Sequence, residues 1–366
     1  MYFARFALTL PRQNAESYFS RAKKMTTMIK KWTLIIIALI GYCLNTTGQE
    51  TKDSTAVRPA FGAKLTSDIQ TDFKETRMQH LLELSAEVPL SRKLTLQVHS
   101  MSALSSDEEW LYYDLQGFSN IDCYEDVNFA LTVAGLEWQI NDRHTLFAGI
   151  RRTDEDYFCS DALGIFTNSS CGIFPTLSWN YIVNTYPEAA LGVHYAYDDE
   201  RWRLQASLYN GMGNHDFKGR YNVFRICPKN DGLLALGQVE YRWRGSSYYL
   251  GGSMHTLDDA PYTMWTYAEQ KLWPNVTLLA AYGHAFGKET LCDNFYGGGV
   301  AMTLKNWDLG VFTDYMKVLG IGQWSTEIGI GWHLSEVLTI KPVVHIMKQD
   351  EEDTKVIGVM RFCFEM

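Results

Sequence analysis

Acidic and basic side chains recur through this 366-residue chain on one parity of runs whose other parity is apolar. Glu83, Glu87, Glu137, Glu188, Glu240 and Glu327 carry one sign; Arg151, Arg203, Arg242, Lys271, Lys341 and Arg361 carry the other. Charges so placed can orient polar solutes, hold ions or pair with one another as scaffolding. The two signs nearly balance, which argues against the ring of a single sign that strong anion or cation selectivity needs. His99, His194, His255, His333 and His345 fall on the same parity, yet nothing in their spacing gathers them at ligand distance, so they are expected as scattered polar lining and no metal site is expected. The chain has no His-Glu-x-x-His, no phosphate loop and no Gly-x-Ser-x-Gly elbow, and neither a catalytic centre nor a cofactor is expected. Gly297 to Gly299 lie inside an alternating run, where glycine marks a bend or a close approach.

The elements that must position these side chains show themselves as a period of two. In the run 202–211, Trp202, Leu204, Ala206 and Leu208 share one face, and Arg203, Gln205, Ser207 and Tyr209 share the other. Leu82, Leu84, Ala86 and Val88 oppose Glu83, Ser85 and Glu87 in the same way, and Ile328, Ile330, Trp332 and Leu334 oppose Glu327, Gly329 and His333. Strands of soluble sandwiches usually run to five or six residues. Runs of about ten with one apolar and one polar face are what a tilted strand crossing a bilayer requires. Arg or Lys on the lipid side at mid-depth would cost about 2–4 kcal/mol, so the charged parity must face water inside a closed barrel.

The connections alternate too. Short polar turns at 91–93, 141–143, 198–200, 244–247, 274–275, 305–307 and 335–336 are separated by longer stretches, among them 105–126, 155–186, 212–231 and 287–294. Counting runs from Arg77 gives fifteen strands, and a weaker one at 61–70 supplies a sixteenth, an even number that puts both ends of the barrel chain on the periplasmic side. Fourteen or eighteen strands are the alternatives. The expected fold is therefore an all-β, transmembrane antiparallel barrel of about sixteen strands whose third outer loop, 155–186, is the longest. An interior of that width holds an aqueous channel, so this loop is expected to fold inward and narrow it. It carries Phe158, Phe166, Phe174, Trp179 and Tyr181 among polar residues. Such rings could stack on the apolar faces of sugars while polar neighbours take the hydroxyls, or could simply pack the loop against the wall.

The only long apolar stretch, 32–44, follows Lys30 and Lys31 and precedes Asn45, Thr46, Thr47 and Gly48, the layout of a secretory signal cleaved after Gly48. Met25 stands at a fitting distance upstream, so residues 1–24 are read as an over-extended translation start, 25–48 as the signal, 49–60 as a periplasmic segment and 61–366 as the barrel. Lipid attachment at Cys43 is the rival reading, against which stands the bulky Tyr42. Export permits disulfides. Cys123, Cys159, Cys171, Cys227 and Cys292 fall in outer connections, with Cys159 and Cys171 in one loop as the best candidate pair. The net charge is −9, and no basic patch suggests nucleic acid.

Several strings resemble, in order, segments of the carbohydrate-selective porins of the OprB family: Asp114-Leu-Gln-Gly-Phe-Ser-Asn-Ile-Asp122; Gly164-Ile-Phe-Thr-Asn-Ser-Ser-Cys-Gly172 followed by Pro175; Tyr186-Pro-Glu-Ala-Ala-Leu-Gly192; and Tyr267-Ala-Glu-Gln-Lys-Leu-Trp273. The segments 296–308 and 325–342 are similar as well. The resemblance implies a sixteen-stranded barrel in the outer membrane of a Gram-negative-type envelope that passes small sugars, with inward loops forming its constriction. Departures are Cys171 within the Asn-Ser segment, short outer loops in the second half and a terminal Met366 where an aromatic residue is common. The partners it implies are outer-membrane lipid, small sugars as solute and the barrel-insertion machinery, with trimer and monomer both open. A general pore for small polar solutes, a barrel enzyme and a surface-binding protein remain as alternatives.

Overall fold

The computed structural model describes residues 58–105, 114–123, 126–181, 184–213, 224–257, 259–287 and 289–366. The expected translation start, signal and most of the periplasmic segment lie outside the described residues. Sixteen strands form one closed barrel in which each pairs antiparallel with its sequence neighbours and β1 closes on β16. They are β1 (Ala60–Thr71), β2 (Thr76–Pro89), β3 (Leu94–Ser105), β4 (Val127–Asn141), β5 (His144–Arg151), β6 (Ala190–Asp198), β7 (Trp202–Asn210) and β8 (Leu233–Trp243). The series continues with β9 (Ser246–His255), β10 (Tyr262–Trp273), β11 (Val276–Phe286), β12 (Cys292–Leu304), β13 (Trp307–Val318), β14 (Ile321–His333), β15 (Leu338–Gln349) and β16 (Lys355–Glu365). The weak first run is thus a full strand. Its register with β16, Leu65 opposite Phe364 and Asp68 opposite Arg361, keeps apolar against apolar and charge against charge.

The period of two sets which face each side chain takes. Trp202, Leu204, Leu208, Val239, Leu250, Val300, Val311, Ile328, Ile330 and Val344 are large, apolar and exposed, all on the outward parity. An apolar surface of that extent is untenable in water and is what a bilayer requires. A strand of 12 residues such as β13 is roughly 40 Å long at about 3.3 Å per residue, enough to cross the hydrocarbon core when tilted. Aromatic rings collect outward near both rims: Trp307 stacks on Trp332 at 5.2 Å and Trp202 meets Tyr241 at 4.7 Å near one, while Tyr315 meets Trp324 at 4.8 Å near the other. These match the girdles that sit at headgroup depth. Among the described residues no helix is long and apolar enough to cross a membrane.

Seven connections share a rim with the start of β1 and the end of β16, and all are short. The opposite rim carries eight, denoted L1 (72–75), L2 (106–126), L3 (152–189), L4 (211–232), L5 (256–261), L6 (287–291), L7 (319–320) and L8 (350–354). The alternation of length is less strict than the sequence suggests. L7 is a two-residue hairpin turn in which Leu319 and Gly320 both take positive φ, 51° and 89°, the backbone that joins twisted strands most tightly. L3 is the longest, as expected, and it packs inside the barrel.

Candidate functional site

L3 leaves β5 through an acidic triplet, 154–156, and the two arginines just before it fix its course. Arg151, the last residue of β5, donates through Nε and Nη2 to the two carboxylate oxygens of Asp156, each at 2.7 Å, and through Nη1 to Gln97 on β3 at 3.0 Å. Gln97 in turn donates to Glu137 on β4 at 3.1 Å. Asp156 also faces His194 Nε2 at 3.5 Å, while His194 Nδ1 lies 2.7 Å from Ser207 Oγ. Next in the chain, Arg152 meets Glu155 at 2.7 Å, Asp154 at 3.5 Å and Glu83 of β2 at 3.9 Å. Burial pushes the Asp154 carboxyl up. Burial is the largest influence on Glu155 as well, but there the Arg152, His99 and Arg151 charges together outweigh it and the group ends below its ordinary range. Glu137, Arg151 and His194, read from the sequence as separate lining residues, thus converge on the foot of L3.

The loop then crosses the lumen and packs an apolar side onto β9–β13. Phe158 lies 4.8 Å from both Phe174 and Trp265, Phe174 lies 4.8 Å from Phe295, and Phe166 lies 5.5 Å from Phe312. Trp265 in turn lies over Gly251 of β9, where any side chain would occupy the ring's place. Tyr181 donates to the Pro261 carbonyl and stacks on His255 at 5.7 Å. Phe158, Phe166, Phe174 and Tyr181 are 4%, 2%, 0% and 8% exposed, so protein already covers their faces and none offers a free ring for a sugar to stack on. Trp179 is half-buried, and its indole N–H donates to the Leu115 carbonyl at 2.9 Å. The expected Cys159–Cys171 disulfide is not formed. Cys171 is buried with the loop's apolar residues, Cys159 is on the loop's exposed side, and both are free thiols.

A different chemistry holds the far end of L3. Glu327 of β14, fully buried, accepts from the backbone N–H groups of Thr167 (2.8 Å) and Asn168 (2.8 Å) and from the Thr167 hydroxyl (3.2 Å). Thr167 Oγ1 is also 3.0 Å from His345 of β15, and the Asn168 amide donates to Asp314 of β13 at 3.0 Å. L2 folds inward beside it. Arg361 of β16 donates to Asp68 of β1 at 2.7 and 2.8 Å and to Asn120 of L2 at 2.7 Å, and Ser119 donates to Asp68 at 2.9 Å. Asp122 is held by Arg77 at 3.2 Å and by Gln79. The loops clasp each other through Asn120 N to Thr167 O at 2.7 Å and Ser169 N to Gly117 O at 2.8 Å. Gly117 is obligatory there, because its φ is +72° and a Cβ would stand 2.8 Å from Ser169 Oγ.

The remaining expected residues, Glu188 excepted, lie nearer the terminal rim. Arg242 pairs with Glu240 at 2.9 Å and Asp198 at 2.7 Å; Arg203 reaches Asp198 at 3.8 Å. Both arginines keep about a third of their side chain open, 35% for Arg203 and 32% for Arg242. Lys271 lies on β10 near Gly245 of the β8–β9 turn, and Lys341 of β15 points its ammonium at the Ile165 carbonyl of L3, 3.5 Å away. Glu188 is placed differently from its parity assignment. It sits in L3, buried, in a turn closed by its own N–H to Thr185 O, before β6 begins at Ala190. Sequence reasoning did not single out Asp68, Asp156 or Asn120. One signal was available: the strings 114–122 and 164–172, quoted for their resemblance, supply the two halves of the L2–L3 contact.

No family model and no curated protein matches this chain. Solved structures do. Pseudomonas putida OprB in its high pH structure superposes with a TM-score of 0.72 at 14% identity, covering 84% of this chain and 94% of that one. A multiple-alanine variant of the Rh. blastica porin gives 0.54 at 9% identity, covering 84% and 100%. A loop-deletion mutant of Vibrio cholerae OmpT, an outer membrane protein, gives 0.56 at 9% identity, covering 84% and 99%. These likenesses show the fold, the closed antiparallel barrel that those porins share.

Proposed function

We propose that the chain is an outer-membrane diffusion pore biased toward small carbohydrates, with L2 and L3 setting its constriction and the loop rim facing outward. One observation supports this reading above the rest: a closed barrel that is apolar outside holds two clasped loops across its polar interior. A barrel that served only as an anchor would have no use for buried ion pairs that hold loops across its bore. The partly open charges Glu83, Glu137, Arg203, Arg242 and Lys271 would line the remaining path, a mixture of both signs suited to uncharged polyhydroxylated solutes. Solutes would cross by passive diffusion, without a cofactor. The sugar bias rests on the resemblance of the loop strings and on the fold shared with OprB.

The covered aromatic rings of L3 favour a second reading, a pore that passes small polar solutes by size alone. Swelling of liposomes containing the purified protein separates the two. Faster swelling with pentoses and hexoses than with amino acids of equal size supports the sugar bias; rates that track size alone overturn it and leave the pore.

A further inference from the structure

Charge is nearly absent from the lipid-facing side of this barrel. Among the described strand residues that keep regular alternation, Asp, Glu, Lys and Arg side chains take the inward parity, with two exceptions: Lys317 on β13 and Lys348 on β15. Both are exposed, and both lie at the loop rim. Lys317 stands opposite Gly322 of β14, and Trp324, two residues further along β14, stands opposite both Tyr315 and Lys348. Two ammonium groups therefore flank a Tyr–Trp pair whose rings are 4.8 Å apart, and on the same face the Asp350 carboxylate of L8 accepts from the Gly322 N–H at 2.8 Å beside the Tyr315 hydroxyl. With strands about 4.8 Å apart, the two lysines are separated by roughly 10 Å across the sheet. Below them the wall is plain hydrocarbon contact, with Val311, Ile328, Val344 and Ile346 exposed on the same face.

We propose that Lys317, Tyr315, Trp324 and Lys348 form a binding site for a phosphorylated lipid of the surrounding leaflet, its phosphates on the two ammonium groups and its acyl chains over Val311, Ile328, Val344 and Ile346. The depth and the partner follow from the placement, and the two lysines of the strands outweigh the one Asp350 carboxylate held against Gly322. A lysine is tolerated on the lipid side only near the interface, where it attracts anionic headgroups. Aromatic rings at that depth hold the glycerol or sugar level of a lipid. The backbone carbonyl of Glu352 in L8 accepts from the Lys348 ammonium, which keeps that side chain at the rim. The site rests on the membrane-spanning reading of the barrel and is independent of what the lumen passes.

The test uses the purified full chain in nanodiscs of phosphatidylcholine containing either diphosphorylated lipid A or its dephosphorylated form, with retained lipid read by native mass spectrometry and channel conductance read separately. The wild type should retain the phosphorylated form roughly ten-fold more than the other, given two lysines at the headgroup level. Lys317→Gln with Lys348→Gln should abolish that preference, Lys317→Arg with Lys348→Arg should keep it, and conductance should be unchanged in both. Equal retention of the two lipids by the wild type, or an undiminished preference in the double Gln variant, would overturn the site. Absence of conductance with the preference intact would count against the pore and not against the lipid site.

Discussion

Against β9–β12, L3 buries Phe158, Phe174 and Tyr181 among Tyr249, Trp265, Tyr267 and Phe295, whereas against β13–β16 the same loop presents Thr167 and Asn168 to Glu327, Asp314 and His345. The first contact is non-directional and scales with area removed from water, so it tolerates small shifts of the loop. The second depends on donor and acceptor geometry, and each buried charge there is costly once its partner is lost. The polar seam therefore sets where the loop must lie, and the apolar side supplies adhesion. L2 meets that seam through Ser119 and Asn120 while its Phe118 packs on Val343, Met347, Ile357 and Val359, so the polar seam is where the two loops are fixed to each other and to the wall.

Arg361→Ala should have the largest effect. It strips Asp68, which is 0% exposed, of its positive partner and leaves it with the Ser119 and Gln70 donors. Breaking a buried pair from one side costs about 3–5 kcal/mol. Hydrogen exchange should then accelerate in the backbone amides of Asn120 and Ser169 together, since L2 and L3 are released as a unit; unchanged exchange would remove the seam from the account. Phe174→Ala should come next, at about 3 kcal/mol, the lower part of the usual range because the loop can settle into the gap. Here thermal unfolding should shift while the exchange of those two amides stays near the wild type. Equal loosening of L2 by both variants would erase the distinction between the two sides.

Arg203→Ala should cost well under about 1 kcal/mol, as expected for a partly open surface-type ion pair. Its effect should show instead as a shift of reversal potential toward cation preference, measured in a salt gradient; an unchanged potential would place Arg203 outside the narrow part. The smallest effect concerns pH. Glu155 has its carboxyl lowered below the ordinary value of 4.5 because Arg152, His99 and Arg151 together outweigh the opposing effect of burial. Its contribution to holding the foot of L3 is thus fully present above that value and is lost as pH falls through the lowered one. Asp154, raised by burial, acts with the opposite sign and partly offsets it. Thermal unfolding across this range should show a shallower acid limb in Glu155→Gln than in the wild type; identical limbs would mean that Arg152 holds the loop without Glu155.

The barrel was legible because its rule is local. A period of two repeated through Leu204, Val239, Ile328 and Val344 assigns faces without knowledge of neighbours, and short turns such as Arg244-Gly245 mark the hairpins. The site was only half legible, because loops obey no such period. Parity placed Arg151, Arg361 and Glu327 inward, but the partners Asp156 and Thr167 are set by how L3 crosses the bore, and Asp68 by the register in which β1 closes on β16. The aromatic residues of L3 carried no mark to tell a packed ring from an open one, since that depends on which wall strand stands opposite. Glu188 was misplaced for a related reason: the turn at Thr185 delays β6, and parity counted through a turn loses its meaning. The two cysteines of L3 are close in sequence, yet one faces the loop's apolar side and the other its exposed side.

The central claim is that the bore is open to solute and that the L2–L3 clasp sets its width. Single-channel recording of the purified full chain in planar bilayers tests it most directly, with the wild type and Arg361→Ala measured side by side. The expected result is discrete conductance steps for the wild type and larger, noisier steps for the variant. A wild type that inserts without conducting, or a variant whose steps are indistinguishable from it, would contradict the claim.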